Sequence, residues 1–290
     1  MLIVDRDGRL IAILGGRPED ENWQKVQDEA QEHLQEACDR LKTKKGCTHR
    51  RGEFATLSCG VSHGGGQTQP MNIQNRGRKA EVLADLNSKH CFTRFASFGS
   101  CACPESLILT LFNGFLAVFQ SCAPKLHEYY ATKLGSLFEH DHSLCKPFNS
   151  VFTAATYNLG PRVVCFPHVD IANLPFGLCA ITAIGDFDPS KGGHLVLWDC
   201  KLAIEFPPGS TILILSAVLA HSNTKVASHE TRFSFSQYSA GGLFRWVDHN
   251  FQSVVSYRAS LTKEECEALD ARNQARWKSG LNLLPKIPLR

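Results

Sequence analysis

No stretch of this chain approaches the roughly 18 uninterrupted apolar residues that a membrane-spanning helix needs. It opens Met1-Leu2-Ile3-Val4-Asp5-Arg6-Asp7-Gly8, with charge where an export signal requires its apolar region. A membrane protein and a secreted protein are therefore not expected. Net charge is also scarce: 31 basic against 28 acidic residues leave +3, too little to establish nucleic-acid binding. There is no Cys-x2-Cys pair among the 12 cysteines, and the nearest approaches are Cys101-Ala-Cys103 and Cys47 with Cys59, which argues against a structural zinc site. Without an export signal the thiols are expected to be reduced, many of them buried as small hydrophobes. What the chain does have is 43% hydrophobic residues in 290, enough for a sizeable core, and we expect a single domain with helical additions.

The first half reads mainly as helical support. Apolar runs at 2–5 and 10–14 flank Asp7-Gly8 and predict a hairpin. Beyond Pro18 and Asp20, Trp23, Val26, Ala30, Leu34, Ala37 and Leu41 recur every three or four residues and predict a one-faced helix ending before Gly46. Six basic side chains lie between Arg40 and Arg51, a solvated helix end or a phosphate-neutralising cluster. A strand over 54–61 follows. Residues 62–80, with Gly64-Gly65-Gly66 and then Arg76, Arg78 and Lys79, read as a mobile loop and a candidate substrate-facing flap. Residues 105–120 are apolar nearly all round, which predicts a buried helix, and Pro124 opens a second helix running to about Phe138.

From Phe152 the texture changes to short β-rich runs at 152–157, 178–184, 194–199, 201–206, 211–216 and 231–239, separated by turn signals such as Gly160-Pro161 and Pro207-Pro208-Gly209. Such spacing predicts an α+β protein with an antiparallel double-sheet jelly roll and flanking helices. Thr262-x-x-Glu265 opens a capped helix to about Trp277, and the tail to Arg290 reads as a packing strap.

Within the β-rich half, His168-Val-Asp170 places an imidazole and a carboxylate on one face of an extended segment. His221 follows the apolar run 211–216, and Arg232 lies on the strand Thr231-Arg-Phe-Ser-Phe-Ser-Gln-Tyr238. Two histidines and one carboxylate make the facial triad of non-haem Fe(II) oxygenases, which keeps positions open for a chelating co-substrate and O2. Strand alternation puts Arg232, Ser234, Ser236 and Tyr238 on one face, and a guanidinium with a hydroxyl two residues on suits the distal carboxylate of 2-oxoglutarate. Glu139-His140-Asp141-His142 is a rival metal pattern at a helix end, with no third ligand on a strand nearby.

The segments Cys165-Phe-Pro-His168-Val-Asp170-Ile-Ala-Asn173-Leu, His221-Ser-Asn and Glu230-Thr-Arg232-Phe-Ser234-Phe-Ser-Gln-Tyr238 resemble the TET/JBP group of Fe(II)- and 2-oxoglutarate-dependent nucleic-acid oxygenases, in particular the fungal TET-like proteins of mushrooms, over most of the chain. The resemblance implies a double-stranded β-helix, iron on His168, Asp170 and His221, and 2-oxoglutarate anchored by Arg232 with Ser234. It also points to Asn173 as a contact to a flipped base, although a local turn cap explains the same residue. Arg162 is similar to an arginine that reaches the other carboxylate of 2-oxoglutarate in some relatives; a phosphate contact or a surface charge accounts for it equally. The Cys-rich segment of animal TET proteins and a CXXC-type DNA-binding domain are missing.

The expectation is one dioxygenase unit over 1–290: helical support and substrate-facing loops in 1–150, the metal-bearing core in 151–250, a C-terminal helix and tail in 251–290. Its reaction would oxidise methylated bases in double-stranded DNA, with Fe(II), 2-oxoglutarate and O2, by a monomer in the nucleus. 5-Methylcytosine would pass to its hydroxymethyl, formyl and carboxyl forms. N6-methyladenine demethylation, a hydroxylase acting outside nucleic acids, and a catalytically dead DNA-binding module are the alternatives.

Overall fold

The computed structural model describes residues 1–42, 48–100 and 117–288. In chain order the strands are β1 (Leu2–Val4), β2 (Leu10–Gly16), β3 (Ala55–Ser62), β4 (Met71–Asn72), β5 (Ala154–Leu159), β6 (Cys179–Asp186), β7 (Leu195–Leu197), β8 (Leu202–Ile204), β9 (Thr211–Ile214), β10 (His221–Asn223) and β11 (Thr231–Tyr238). They form an eight-stranded antiparallel sheet, β1-β2-β9-β6-β11-β5-β3-β4, and a three-stranded antiparallel sheet, β10-β7-β8.

β11 shows how sequence pattern becomes architecture. Phe233 and Phe235 are buried in a cluster with Leu57, Tyr157, Phe92 and Phe95, on the face covered by helices α1 (Trp23–Leu41), α2 (Arg78–Ser88) and α3 (His90–Ser100). Trp23, Val26, Ala30, Leu34 and Ala37 of α1 all enter this cluster, as their three-to-four spacing predicts. A second cluster packs α4 (Val118–Cys122), α5 (Pro124–His140) and α6 (Gly241–Asp248) against Leu10, Ile13 and Leu213 of the large sheet. The opposite sheet face meets the small sheet through Ala12, Ala183, Ile212 and Ile214 with Leu195 and Leu197. The site described below lies between these two sheets.

Helix α7 (Val254–Ala259) leads into α8 (Lys263–Leu281), whose capping box is complete: Glu265 N donates to Thr262 Oγ1 and Thr262 N to Glu265 Oε2. The tail then returns across the first hairpin, with Leu10 N donating to Pro285 O (3.0 Å) and Ile287 N to Gly8 O (2.8 Å). Gly8 sits at φ +74°, and a Cβ there would lie 2.4 Å from Ile287 O, so the strap needs glycine at this turn.

One expectation changes. Residues 62–80 are not one loop: β4 pairs with β3 through Met71 and Asn72, and α2 begins at Arg78. Asn72 is the anchor, since its side chain donates to Ser143 O and accepts from Cys145 N. The buried helix expected over 105–120 lies mostly outside the described residues, as do Cys47, Cys101 and Cys103. All described cysteines are free thiols. Among the described residues, no helix is long and apolar enough to cross a membrane.

Truncating Phe235, whose ring meets those of Phe92, Phe148 and Tyr157, is expected to cost about 3–5 kcal/mol in a Phe235→Ala variant. A lowered urea midpoint at unchanged slope would show it.

Candidate metal centre

His168 reaches the site on an extended segment pinned to the small sheet: His168 N donates to His221 O (3.0 Å) and His221 N to His168 O (2.9 Å). This reciprocal pair sets the two imidazoles side by side, ring centroids 4.3 Å apart. Each ring faces a backbone carbonyl through Nδ1, His168 with Phe166 O at 2.7 Å and His221 with Leu219 O at 2.9 Å. With Nδ1–H donating there, Nε2 is left as the lone-pair donor of each ring. Asp170, held by its N donating to Ser216 O, lies opposite both: Nε2 of His168 is 3.8 Å from Oδ1 and Nε2 of His221 is 3.9 Å from Oδ2. Donor atoms of all three residues fall within 4.8 Å of one another. An ion about 2.0–2.2 Å from each donor can bridge such spans.

The electrostatics favour a metal. Burial first, and then the neighbouring His221, pull the His168 imidazole below its ordinary value, so the ring is neutral near pH 7 and its lone pair is available. Among the described residues, no other group of three or more histidines, cysteines and carboxylates comes together in this way. The rival 139–142 pattern is spent elsewhere: the His140 ring stacks on Phe251 at 3.8 Å, and Asp141 accepts from Ser143 N and Oγ.

Arg232, Ser234, Ser236 and Tyr238 all line the same pocket as the three donors, as the alternation of β11 requires. Arg232 is fully interior. Desolvation pulls its guanidinium down to about 10, still charged near neutrality. Its Nη1 donates to Val163 O at 3.3 Å, Nε is buried with no partner, and among the described residues the side chain forms no ion pair. A buried, unpaired cation is costly unless an anion joins it. Ser234 stands beside it, and its cross-strand partner Asn158 donates Nδ2 to Ser234 Oγ at 2.8 Å, leaving the serine O–H free to donate into the pocket. The unpaired donor atom, the hydroxyl and the metal-ligand triad together fit iron(II) with a chelating dicarboxylate such as 2-oxoglutarate.

Asn173 is half-buried, its Nδ2 donating to Ser216 Oγ at 3.0 Å, and it is not part of the pocket wall. Arg162 is exposed; its Nη1 donates to Ser228 O at 2.7 Å, and the side chain is not part of the pocket wall. Among the pocket residues given no site role from the sequence are Arg51, Asn158 and Asn223. Asn158 carried a signal, a polar amide in a strand buried at every position. Asn223 accepts from Cys165 N and donates to Val163 O, locking the segment before His168. Arg51 was hidden in the basic run after α1, and only the fold brings it to the pocket.

No family model and no curated protein matches the sequence. Among solved structures, NgTET1 in complex with 5mC DNA is similar at TM-score 0.53 and 16% identity, covering 83% of this chain and 76% of that one. A prolyl-4-hydroxylase from Pseudomonas putida is matched at TM-score 0.33 and 12% identity over 78% of this chain and 90% of that one. AviO1 from Streptomyces viridochromogenes gives 0.35 and 11% over 82% and 96%. At this identity the likeness to NgTET1 is one of fold.

The donor geometry makes metal binding measurable without turnover. Calorimetric titration with Mn(II) is expected to give one site, lost in Asp170→Ala and His221→Ala. Because the folded-state pKa of His168 is lowered, protons compete with the metal for this ring only below the ordinary imidazole value of about 6.5. Affinity should therefore stay level from pH 8 to 7 and fall as pH drops below 6.

Proposed function

We propose that this protein is an Fe(II)- and 2-oxoglutarate-dependent oxygenase of the TET-like kind, acting on methylated bases in DNA. The observation that carries the oxygenase reading is the buried, unpaired Arg232 in the same pocket as the His168, Asp170 and His221 donors. For the substrate, the support is the fold shared with NgTET1, solved with 5mC DNA, and the resemblance of the 165–174 and 230–238 motifs to TET-like proteins. On this reading the two facing sheets are the halves of a double-stranded β-helix, residues 1–290 work as one unit, and the chain groups with the fungal TET-like proteins its motifs resemble. A monomer acting in the nucleus fits the same reading.

His168, Asp170 and His221 would hold iron(II). Bound iron with 2-oxoglutarate supplies O2 activation, coupled to release of CO2 and succinate, and inserts oxygen at a C–H bond. Arg232 would take the distal carboxylate through a charge-assisted fork, and Ser234, oriented by Asn158, would donate to it. Arg162 is a further candidate for the co-substrate, although it would have to leave Ser228 O to reach it. Cys165, Cys179 and Ile181 line the pocket with small and apolar side chains, and burial pushes the Cys179 thiol up to about 12, so it is neutral near the metal.

A base within a duplex cannot reach this interior and has to be extruded. Asn173 would meet it: with Nδ2 held by Ser216, Oδ1 is the atom left to accept from an exocyclic amino group. Both 5-methylcytosine and N6-methyladenine carry such a donor.

Purified protein with Fe(II) and 2-oxoglutarate is expected to oxidise 5-methylcytosine in duplex oligonucleotides, read by nucleoside mass spectrometry, and Asp170→Ala should abolish it. Loss of N6-methyladenine instead would make it a demethylase. Succinate formation with neither base changed would reject the DNA substrate while leaving the oxygenase chemistry standing. Removing a charge-assisted contact worth about 1.5–3 kcal/mol should raise the half-saturating 2-oxoglutarate concentration in Arg232→Met by roughly ten- to a hundredfold. Asn158→Ala, which only frees the Ser234 hydroxyl, should raise it less.

A further inference from the structure

The segment that supplies two metal ligands also carries two exposed apolar side chains. Phe166, two residues before His168, is 43% exposed, and Ile171, directly after Asp170, is 76% exposed. Scattered surface apolar residues are ordinary. These two differ in how they are held. Asp170 is fixed by Ser216 O, Asn173 N donates back to Asp170 O at 2.9 Å, and the Asn173 side chain is tied to Ser216. Ile171 is thus at the tip of a braced turn, beside the metal site, between the half-buried Asp170 and the exposed Ala172, with the half-buried Asn173 closing the turn.

Positive charge is fastened to the same segment. Arg50 Nη1 donates to Val169 O at 3.1 Å, and Phe166 N donates to Arg51 O at 2.7 Å. Arg50 is exposed, and Arg51 lies close enough to the triad that its charge bears on His168. The rim therefore combines an unpartnered apolar tip, a half-exposed ring and guanidinium charge, all within a few residues of the metal donors. A polyanion whose interior is opened at one point matches that combination, because the charge suits phosphates and the apolar tip suits the space between stacked bases.

We propose that Ile171 is a wedge that enters the duplex where the methylated nucleotide is extruded, with Phe166 beside it and Arg50 on a flanking phosphate. This rests on the reading of the site as a DNA-base oxygenase and adds to it the residue that makes a paired base accessible. A wedge substitutes for lost stacking, so it matters only when the target base begins paired and stacked.

The test compares one methylated strand in two settings, paired with its full complement and paired with a complement that has an abasic site opposite the methylated base. For Ile171→Ala and Ile171→Ser, kcat/KM on the fully paired duplex should fall about tenfold relative to the original protein, and on the abasic partner by less than about twofold. Mn(II) affinity serves as the folding control. Equal losses on both substrates, or no loss on either, would overturn the wedge. If the unsubstituted protein turns over 2-oxoglutarate but oxidises neither oligonucleotide, the DNA reading itself has failed, and that is seen before any variant is made.

Discussion

A guanidinium without a counter-ion, sealed inside a β-sandwich, is the constraint around which this pocket is arranged. Arg232 loses its hydration on folding and recovers a long hydrogen bond to Val163 O and a place over the Phe187 ring, 5.9 Å from its centroid. The surrounding sheet tolerates it because the opposite side of β11 places Phe233 and Phe235 in a large aromatic cluster, whose burial offsets the cost of the desolvated charge next door. Such a charge is a standing demand for an anion, and the pocket it lines also holds the metal donors.

The triad is held by backbone rather than by side-chain networks. The reciprocal hydrogen bonds between His168 and His221 join the crossing segment to the small sheet, and the bond from Asp170 N to Ser216 O joins it to the stretch just after β9 of the large sheet. The imidazoles' Nδ1 atoms are satisfied by carbonyls two residues earlier in the chain. Ring orientation is therefore set before any ion arrives, so little ordering remains to oppose binding. Asn223 reinforces this by satisfying backbone groups of Val163 and Cys165 at the entry to the same segment.

The two layers have divided roles. The large sheet and its helices supply the packed core and the buried Arg232, while the 49–52 turn, the 165–173 segment and the 62–69 loop are irregular. His63 of that loop packs on Trp246 at 5.3 Å, which ties the glycine-rich stretch to α6 next to Asn173. His168, Asp170 and Asn173 thus lie on a loop braced by the scaffold, whereas His221 and Arg232 lie on strands.

Much of this was legible in local pattern. The three-to-four spacing of α1, the alternation along β11, the capping box at Thr262 and the His168-Val-Asp170 pair each follow from a periodicity or a pairing within a few residues, which the sequence by itself determines. The helices α2 and α3 and the short strand β4 were not anticipated, because each is stabilised by what it covers or pairs with. Only the tertiary structure decided that Asn158 lies opposite Ser234, that Arg51 of a basic run faces the pocket and Arg162 does not, and that Ile171 stands exposed beside the metal donors. Those facts depend on cross-strand register and on loop crossings between residues 50 to more than 100 positions apart, and no local spacing encodes them.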